Sequence, residues 1–134
     1  MPTRTDDLRI KAKSAAKEIL AKYPKTFKNG GHLGVGFGWM SIIDDLCSEI
    51  EKSECVDNIC IEQVKEKFGT LRFYVSNASN EIHELINKAE NLSAKTCEDC
   101  GAPGEIKSGS WIRTLCDTCF KDITLKYNMN KALK

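Results

Sequence analysis

The chain has no run of apolar residues approaching the roughly 18 needed to cross a bilayer. Its N-terminus, Met1-Pro2-Thr3-Arg4-Thr5-Asp6-Asp7, lacks the apolar core of a secretory signal, so a cytoplasmic location with no membrane partner is expected. Histidine is scarce: His32 and His83 are the only two. Neither stands beside a plausible nucleophile or carboxylate pair, which leaves acid–base chemistry little to work with, and no enzyme is expected. A dominant charge is missing too, with a formal net charge of +1 and an isoelectric point near 7.5. Nucleic-acid-binding domains usually lie above about 9.

Cysteine is the abundant exception, with seven in 134 residues. An odd count, no export signal and two Cys-x-x-Cys pairs fit metal binding better than a disulfide framework. The pairs are Cys97-Glu-Asp-Cys100, followed by Gly101, and Cys116-Asp-Thr-Cys119. Two intervening residues let a tight turn aim both thiolates at one ion, and the glycine after Cys100 lets that turn relax with positive φ. Two such pairs about 15 to 20 residues apart have the spacing of a zinc site. Four thiolates close the coordination sphere, whereas catalytic zinc keeps an open position, so one structural zinc ion is expected. A thioredoxin-like redox pair needs a strand–helix context that Thr96-Cys97 does not supply, and iron–sulfur clusters use other spacings. Cys47, Cys55 and Cys60 are left over, each expected to be a small buried or half-buried side chain.

Charge is distributed in blocks. Residues 1–28 hold eight Lys/Arg against three Asp/Glu, residues 29–94 five against eleven, and residues 95–134 seven against five. A basic N-terminus can mark a nucleic-acid surface, or it can lie beside the acidic middle of the same fold. The second is favoured, because surface charge often has no specific partner.

Leu8, Ala12, Ala15, Ala16, Ile19 and Tyr23 fall at helical spacing after Asp6 and Asp7, and Pro24 ends that helix. Lys28 to Gly38 holds five glycines without the Gly-Lys-Ser/Thr of a phosphate loop or the dinucleotide spacing, so a flexible connector is expected there. A second helix opens at Gly38-Trp39 with Trp39, Ile42, Ile43, Leu46 and Ile50 on one face, Trp39 being a core anchor. The period then changes, and the pattern predicts a hairpin of strands 60–67 and 70–76 turning at Phe68-Gly69-Thr70. Val64 and Phe68 break alternation with Ile61, which calls for a bulge or a shorter first strand. Arg72 and Tyr74 project from the face opposite Leu71 and Phe73. Ser76 to Asn80 offers caps for a third helix with Ile82, Leu85, Ile86 and Ala89 on its buried stripe.

Between the cysteine pairs, residues 105–107 and 110–114 read as a short hairpin about Ser108-Gly109. Trp111 on this hairpin is expected to pack against the zinc layer. A final helix aligns Phe120, Ile123 or Thr124, and Tyr127. Knuckle, hairpin and a helix whose first turn carries two ligands make a treble-clef arrangement. The expected fold is α+β: helices packed on a short antiparallel β-hairpin over residues 1–95, with a C-terminal treble-clef or zinc-ribbon-like four-cysteine zinc finger over residues 96–134.

The finger is similar to treble-clef fingers, including the GATA-type DNA-binding ones. Gly38-Trp39 before its helix, the stretch Val64-Lys65-Glu66-Lys67-Phe68-Gly69-Thr70-Leu71-Arg72-Phe73-Tyr74, and Cys97 to Gly104 with Trp111 to Cys119 resemble a group of small phage and prophage proteins. That group has no assigned activity, so the resemblance implies a bacterial host cytoplasm and carries over only the ligands Cys97, Cys100, Cys116 and Cys119. The expected function is a non-enzymatic accessory protein that acts through a protein partner, in the manner of a modulator of a host system. The alternative is a nucleic-acid-binding regulator using the finger, with Lys107, Arg113, Lys121 and Lys126, and the basic first helix. Glu98, Asp99, Glu105, Asp117 and Asp122 in the same finger weaken that alternative.

Overall fold

A computed structural model describes residues 3–53, 56–109 and 111–132, with side chains as far as Asn128. Cys55 and Ser110, both part of the sequence expectations, lie outside the described residues.

Helix α1 spans Arg4–Lys22. Its start is a capping box. The Thr3 hydroxyl accepts from the Asp6 amide at 3.1 Å, and the Asp6 carboxylate accepts from the Thr3 amide at 3.1 Å. The helix stops at Tyr23, before Pro24, because proline pushes its predecessor out of helical geometry. Ile19 and Tyr23 are buried, and Leu8, Ala12, Ala15 and Ala16 are half-buried. A 3-10 turn, Phe37–Trp39, leads into helix α2, Met40–Glu51, which buries Met40, Ile42, Ile43, Leu46, Cys47 and Ile50. Trp39 is fully buried, and its indole N–H donates to the Thr96 carbonyl at 2.9 Å.

Strand β1 is only Leu33–Gly34, while β2 (Cys60–Lys67) and β3 (Thr70–Ser76) form the hairpin with the predicted bounds. Thr70, read as both turn and strand, pairs with Lys67 and belongs to β3. Phe68 and Gly69 both have positive φ, 53° and 87°, the requirement of a two-residue hairpin turn. The pairing shifts between Ile61 and Gln63, which brings Ile61 and Val64 back onto compatible faces. β1 pairs parallel with β2, Leu33 opposite Val64, and makes a third strand that periodicity did not reveal.

Helix α3, Asn80–Ser93, is capped by Ser79, whose hydroxyl accepts from the Ile82 amide. It also closes the sheet edge. Outward-facing amides of β3 donate to α3 side chains, Leu71 to Ser93 Oγ at 2.9 Å and Phe73 to Glu90 Oε2 at 3.1 Å. One apolar cluster joins α1, α2, α3 and the inner face of the sheet. The basic first helix meets the acidic middle at Asp44 on α2, which accepts from Tyr23 Oη and lies 3.1 Å from Lys22 Nζ. Arg9, Lys11, Lys13 and Lys17 remain on the surface.

The remaining elements are β4 (Glu105–Lys107), β5 (Arg113–Leu115) and helix α4 (Asp117–Ala132). β4 and β5 pair antiparallel. The architecture is α+β, with four helices and two small sheets among the described residues. No helix among them is long and apolar enough to cross a membrane.

Candidate metal centre

Cys97, Cys100, Cys116 and Cys119 converge, their sulfurs all within 4.8 Å of one another. A tetrahedral ion with sulfur at about 2.3 Å sets its ligands about 3.8 Å apart. Cys100 and Cys116 sulfurs are 3.7 Å apart, so the donor set suits a metal ion.

Local backbone chemistry builds each half. In the first, the Gly101 amide donates to the Cys97 carbonyl at 2.9 Å, with Gly101 at φ 89°, where a side chain would be strained. The Cys97 amide donates to the Ala102 carbonyl at 2.7 Å, and the Ala102 amide points at Cys100 Sγ at 3.5 Å. In the second half, Cys116 directly precedes α4 and Cys119 lies in its first turn. The Cys119 amide donates to Cys116 Sγ at 3.4 Å, and the positive helix end favours thiolate at both positions.

Burial raises the Cys97 and Cys119 thiols, against the pull of backbone amides on the first and of Arg4 on the second. Cys116, also penalised by burial, is nonetheless held down at about 7 by the Cys119 amide and the neighbouring thiols.

The knuckle between Cys97 and Cys100 is tied to the rest of the protein at Glu98. Its carboxylate, 5% exposed with the rest of the residue, accepts from the Gly36 amide at 3.0 Å and from Arg113 Nη2 at 3.0 Å. Asp99 accepts from the same Arg113 nitrogen at 2.6 Å. The directions at this pair differ. Burial pushes the Glu98 carboxyl up against Arg113, whereas the two carboxylates hold Arg113 charged against its own burial. Because guanidinium does not deprotonate in proteins and Glu98 has two donors aimed at it, the ion pair is the native arrangement.

The glycine segment is a seat for this knuckle, which corrects the flexible connector expected from its composition. The Gly38 amide donates to the Glu98 carbonyl at 2.7 Å. A Cβ at Gly38 would fall 2.0 Å from the Cys97 carbonyl oxygen, and one at Gly36 would fall 2.5 Å from that of Glu98. Backbone meets backbone here, and a side chain has no room. From the hairpin side, Thr114 Oγ1 donates to the Gly69 carbonyl.

The N-terminus reaches the centre as well. Arg4 Nη1 lies 3.1 Å from Cys119 Sγ and 2.9 Å from Asp122 Oδ2, Lys126 Nζ is 2.8 Å from Asp6, and Leu8 packs with Ile123 beside the cysteines. Arg4, Glu98, Gly36 and Gly38 were not among the expected site residues. The glycine density was the one sequence signal, and it reads equally well as a loose loop. Arg4 lies 115 residues from Cys119 and carries no local signal.

Two aromatic expectations are corrected. Trp111 does not pack on the metal layer. It is 65% exposed, with the Arg113 guanidinium 5.2 Å from its ring. Phe120 and Tyr127, expected on the inner stripe of α4, are exposed, and Cys119 and Ile123 turn inward instead. The reason is geometric: α4 is rotated so that Cys119 joins the other three cysteines, which turns Phe120 and Tyr127 outward. Of the basic residues proposed for phosphate contact, Lys107 pairs with Glu105 and Asp117, Arg113 with Glu98 and Asp99, and Lys126 with Asp6. His32 and His83 are exposed, and neither joins the cysteine cluster. Cys47 is buried, its thiol pushed up by burial and by Asp44 and Glu51, and Cys60 is half-buried.

No family model, curated protein or solved structure matches this chain.

Proposed function

We propose that the protein is a small zinc-held, non-enzymatic interaction module of phage or prophage type, working in the bacterial cytoplasm by binding another protein. The ion is zinc in a treble-clef-type finger, since four cysteines with this spacing suit zinc and close its coordination sphere. One observation carries the interaction reading. Trp111 and Tyr127 stand 65% and 64% exposed on a surface groove beside the metal centre, and tryptophan and tyrosine in such positions are typical interface anchors. The metal then sets the rotation of α4 and the seat of the finger, so it shapes the binding surface without touching the partner.

The test is affinity capture from the bacterial host with zinc-loaded protein, run with and without nuclease. A stoichiometric protein that persists after nuclease supports the proposal, and recovery of nothing but nucleic acid overturns it. Elemental analysis should find one zinc per chain; iron in its place would remove the zinc assignment.

A second reading, nucleic-acid binding, draws on Arg9, Lys13 and Lys17, which follow one another at helical spacing on α1, exposed and without an acidic partner among the described residues. Binding to mixed duplex that falls steeply with salt would support it.

A further inference from the structure

We infer that the groove between α1 and the metal centre receives an acidic segment of the partner protein, one carrying carboxylates next to an aromatic or aliphatic side chain. This rests on the protein-interaction reading and names its site and the chemistry of its occupant.

The groove encloses about 640 Å³, a volume suited to a few side chains. Its lining includes the apolar Leu8 and Ala12 of α1, Val35 of the glycine segment and Ile123 of α4, together with Trp111 and Tyr127. Those two rings are the largest exposed apolar side chains of the finger and helix, and the fold covers neither. An apolar side chain entering the groove would take exposed ring surface out of water.

The charges select the rest. Three carboxylates line the groove, and each is already occupied. Glu66 accepts from the Gly69 amide, Glu98 from the Gly36 amide and Arg113, and Asp99 from Arg113. Two of the four lining cations are likewise satisfied, Arg113 by Glu98 and Asp99 and Lys126 by Asp6. Arg9 and Lys65 have no carboxylate partner among the described residues. Lys65 moreover sits directly across the hairpin from Arg72, like charges on facing positions, and Arg72 Nε is buried with no hydrogen-bond partner. Facing like charges repel, and an incoming carboxylate beside Lys65 would relieve that repulsion.

A nucleic-acid strand fits less well. It brings one negative charge per nucleotide, and the groove offers only two cations without a carboxylate partner among the described residues, Arg9 and Lys65, the second lying over the Tyr74 ring. One or two carboxylates on a peptide match that supply.

The experiment selects short random peptides displayed against the zinc-loaded full chain, then measures a fluorescein-labelled selected peptide by anisotropy at physiological ionic strength. The expected peptides combine Asp or Glu with Trp, Phe or Leu. Their affinity should fall at least about tenfold in Trp111→Ala and in Lys65→Glu or Arg9→Glu. Lys88→Glu, an exposed charge on α3 outside the groove lining, should leave affinity unchanged, and zinc content reports that each variant is folded. A peptide with its acidic residues changed to Lys should bind Lys65→Glu better than the native chain. Selected peptides without acidic bias, or binding indifferent to Arg9 and Lys65, overturn the inference, as does an oligothymidylate that quenches Trp111 and displaces the peptide. If a host protein is captured and its binding survives all three groove variants, the protein-interaction reading stands and this site falls.

Discussion

The guanidinium of Arg4 donates to the sulfur of Cys119 at 3.1 Å, joining the first turn of the first helix to the first turn of the last. A divalent ion in four thiolates leaves a net double negative charge, and a fixed guanidinium beside one sulfur offsets part of it. Asp122, 2.9 Å from the same nitrogen, holds the guanidinium in place.

Removing that cation should weaken the metal site without abolishing it. Arg4→Met is expected to lower zinc affinity about tenfold, the lower end of what outer partners of metal ligands contribute. Arg4→Lys should recover only part, because an ammonium is more strongly hydrated than a guanidinium and sits on a more flexible stem, so it is less preorganised beside sulfur and carboxylate. Competition with a chromophoric chelator measures both; equal affinity in Arg4→Met would show that the contact does nothing for the ion.

Loss of a ligand should be felt in the glycine segment. In Cys100→Ser or Cys119→Ser, the knuckle loses its metal, and the Gly36 and Gly38 amides lose the Glu98 acceptors they depend on. Hydrogen exchange should therefore speed up at residues 36–38 as well as across the finger. Retained protection at Gly38 in a metal-free variant would mean that the seat forms without the ion.

The close backbone approach makes a sharp comparison between two glycines. Gly38→Ala puts a methyl group 2.0 Å from the Cys97 carbonyl and should destabilise by about 3 kcal/mol or more, since backbone on both sides must move. Gly30→Ala meets nothing within 4 Å, although its φ of 81° makes alanine unfavourable by about 1 kcal/mol. Urea unfolding of the two variants would expose the difference, and similar midpoints would refute the packing at Gly38.

Glu98→Gln tests the buried ion pair. The amide keeps the shape and one acceptor for the Gly36 N–H but leaves Arg113 with Asp99 alone, so about 2 to 3 kcal/mol of stability should be lost, less than the full penalty for stranding a buried charge. Denaturant unfolding of the zinc-loaded protein gives the value. No loss would place the pair among those that burial makes neutral.

Metal uptake should depend on pH in a set direction. The ion needs thiolates, and Cys116 gives up its proton at about 7 while burial holds the Cys97 and Cys119 protons to higher pH. Each proton displaced adds one unit to the slope of log affinity against pH, so affinity should rise from pH 6 to 8 by at least about tenfold per unit, flattening first where Cys116 is already ionised. A flat profile by calorimetry in that range would contradict thiolate ligation.

Much of this protein is written locally. Thr3 and Asp6 cap α1 and Pro24 ends it, Ser79 caps α3, and alternation from Cys60 to Ser76 marks both hairpin strands, because each signal acts over a few residues. The change of face between Ile61 and Val64 announced the bulge for the same reason. The four ligands were legible because Cys-x-x-Cys is itself a local turn geometry, repeated at a distance that a hairpin and a helix start can close.

Contacts between distant segments settled everything else. Pairing of Leu33 with Val64 depends on where the chain returns, so a two-residue strand leaves no periodic trace. Five glycines state that backbone is bare, and whether it waves in water or is pressed against Glu98 depends on what arrives from 62 residues beyond Gly36. The exposure of Tyr127 goes with the rotation of α4 that turns Cys119 inward, and Trp111 stands outside while Arg113 beside it is drawn to Glu98 and Asp99, relations that no spacing within the finger encodes. Short-range geometry chose the elements and the metal ligands; packing between them chose the seat, the outer cation and the face left open.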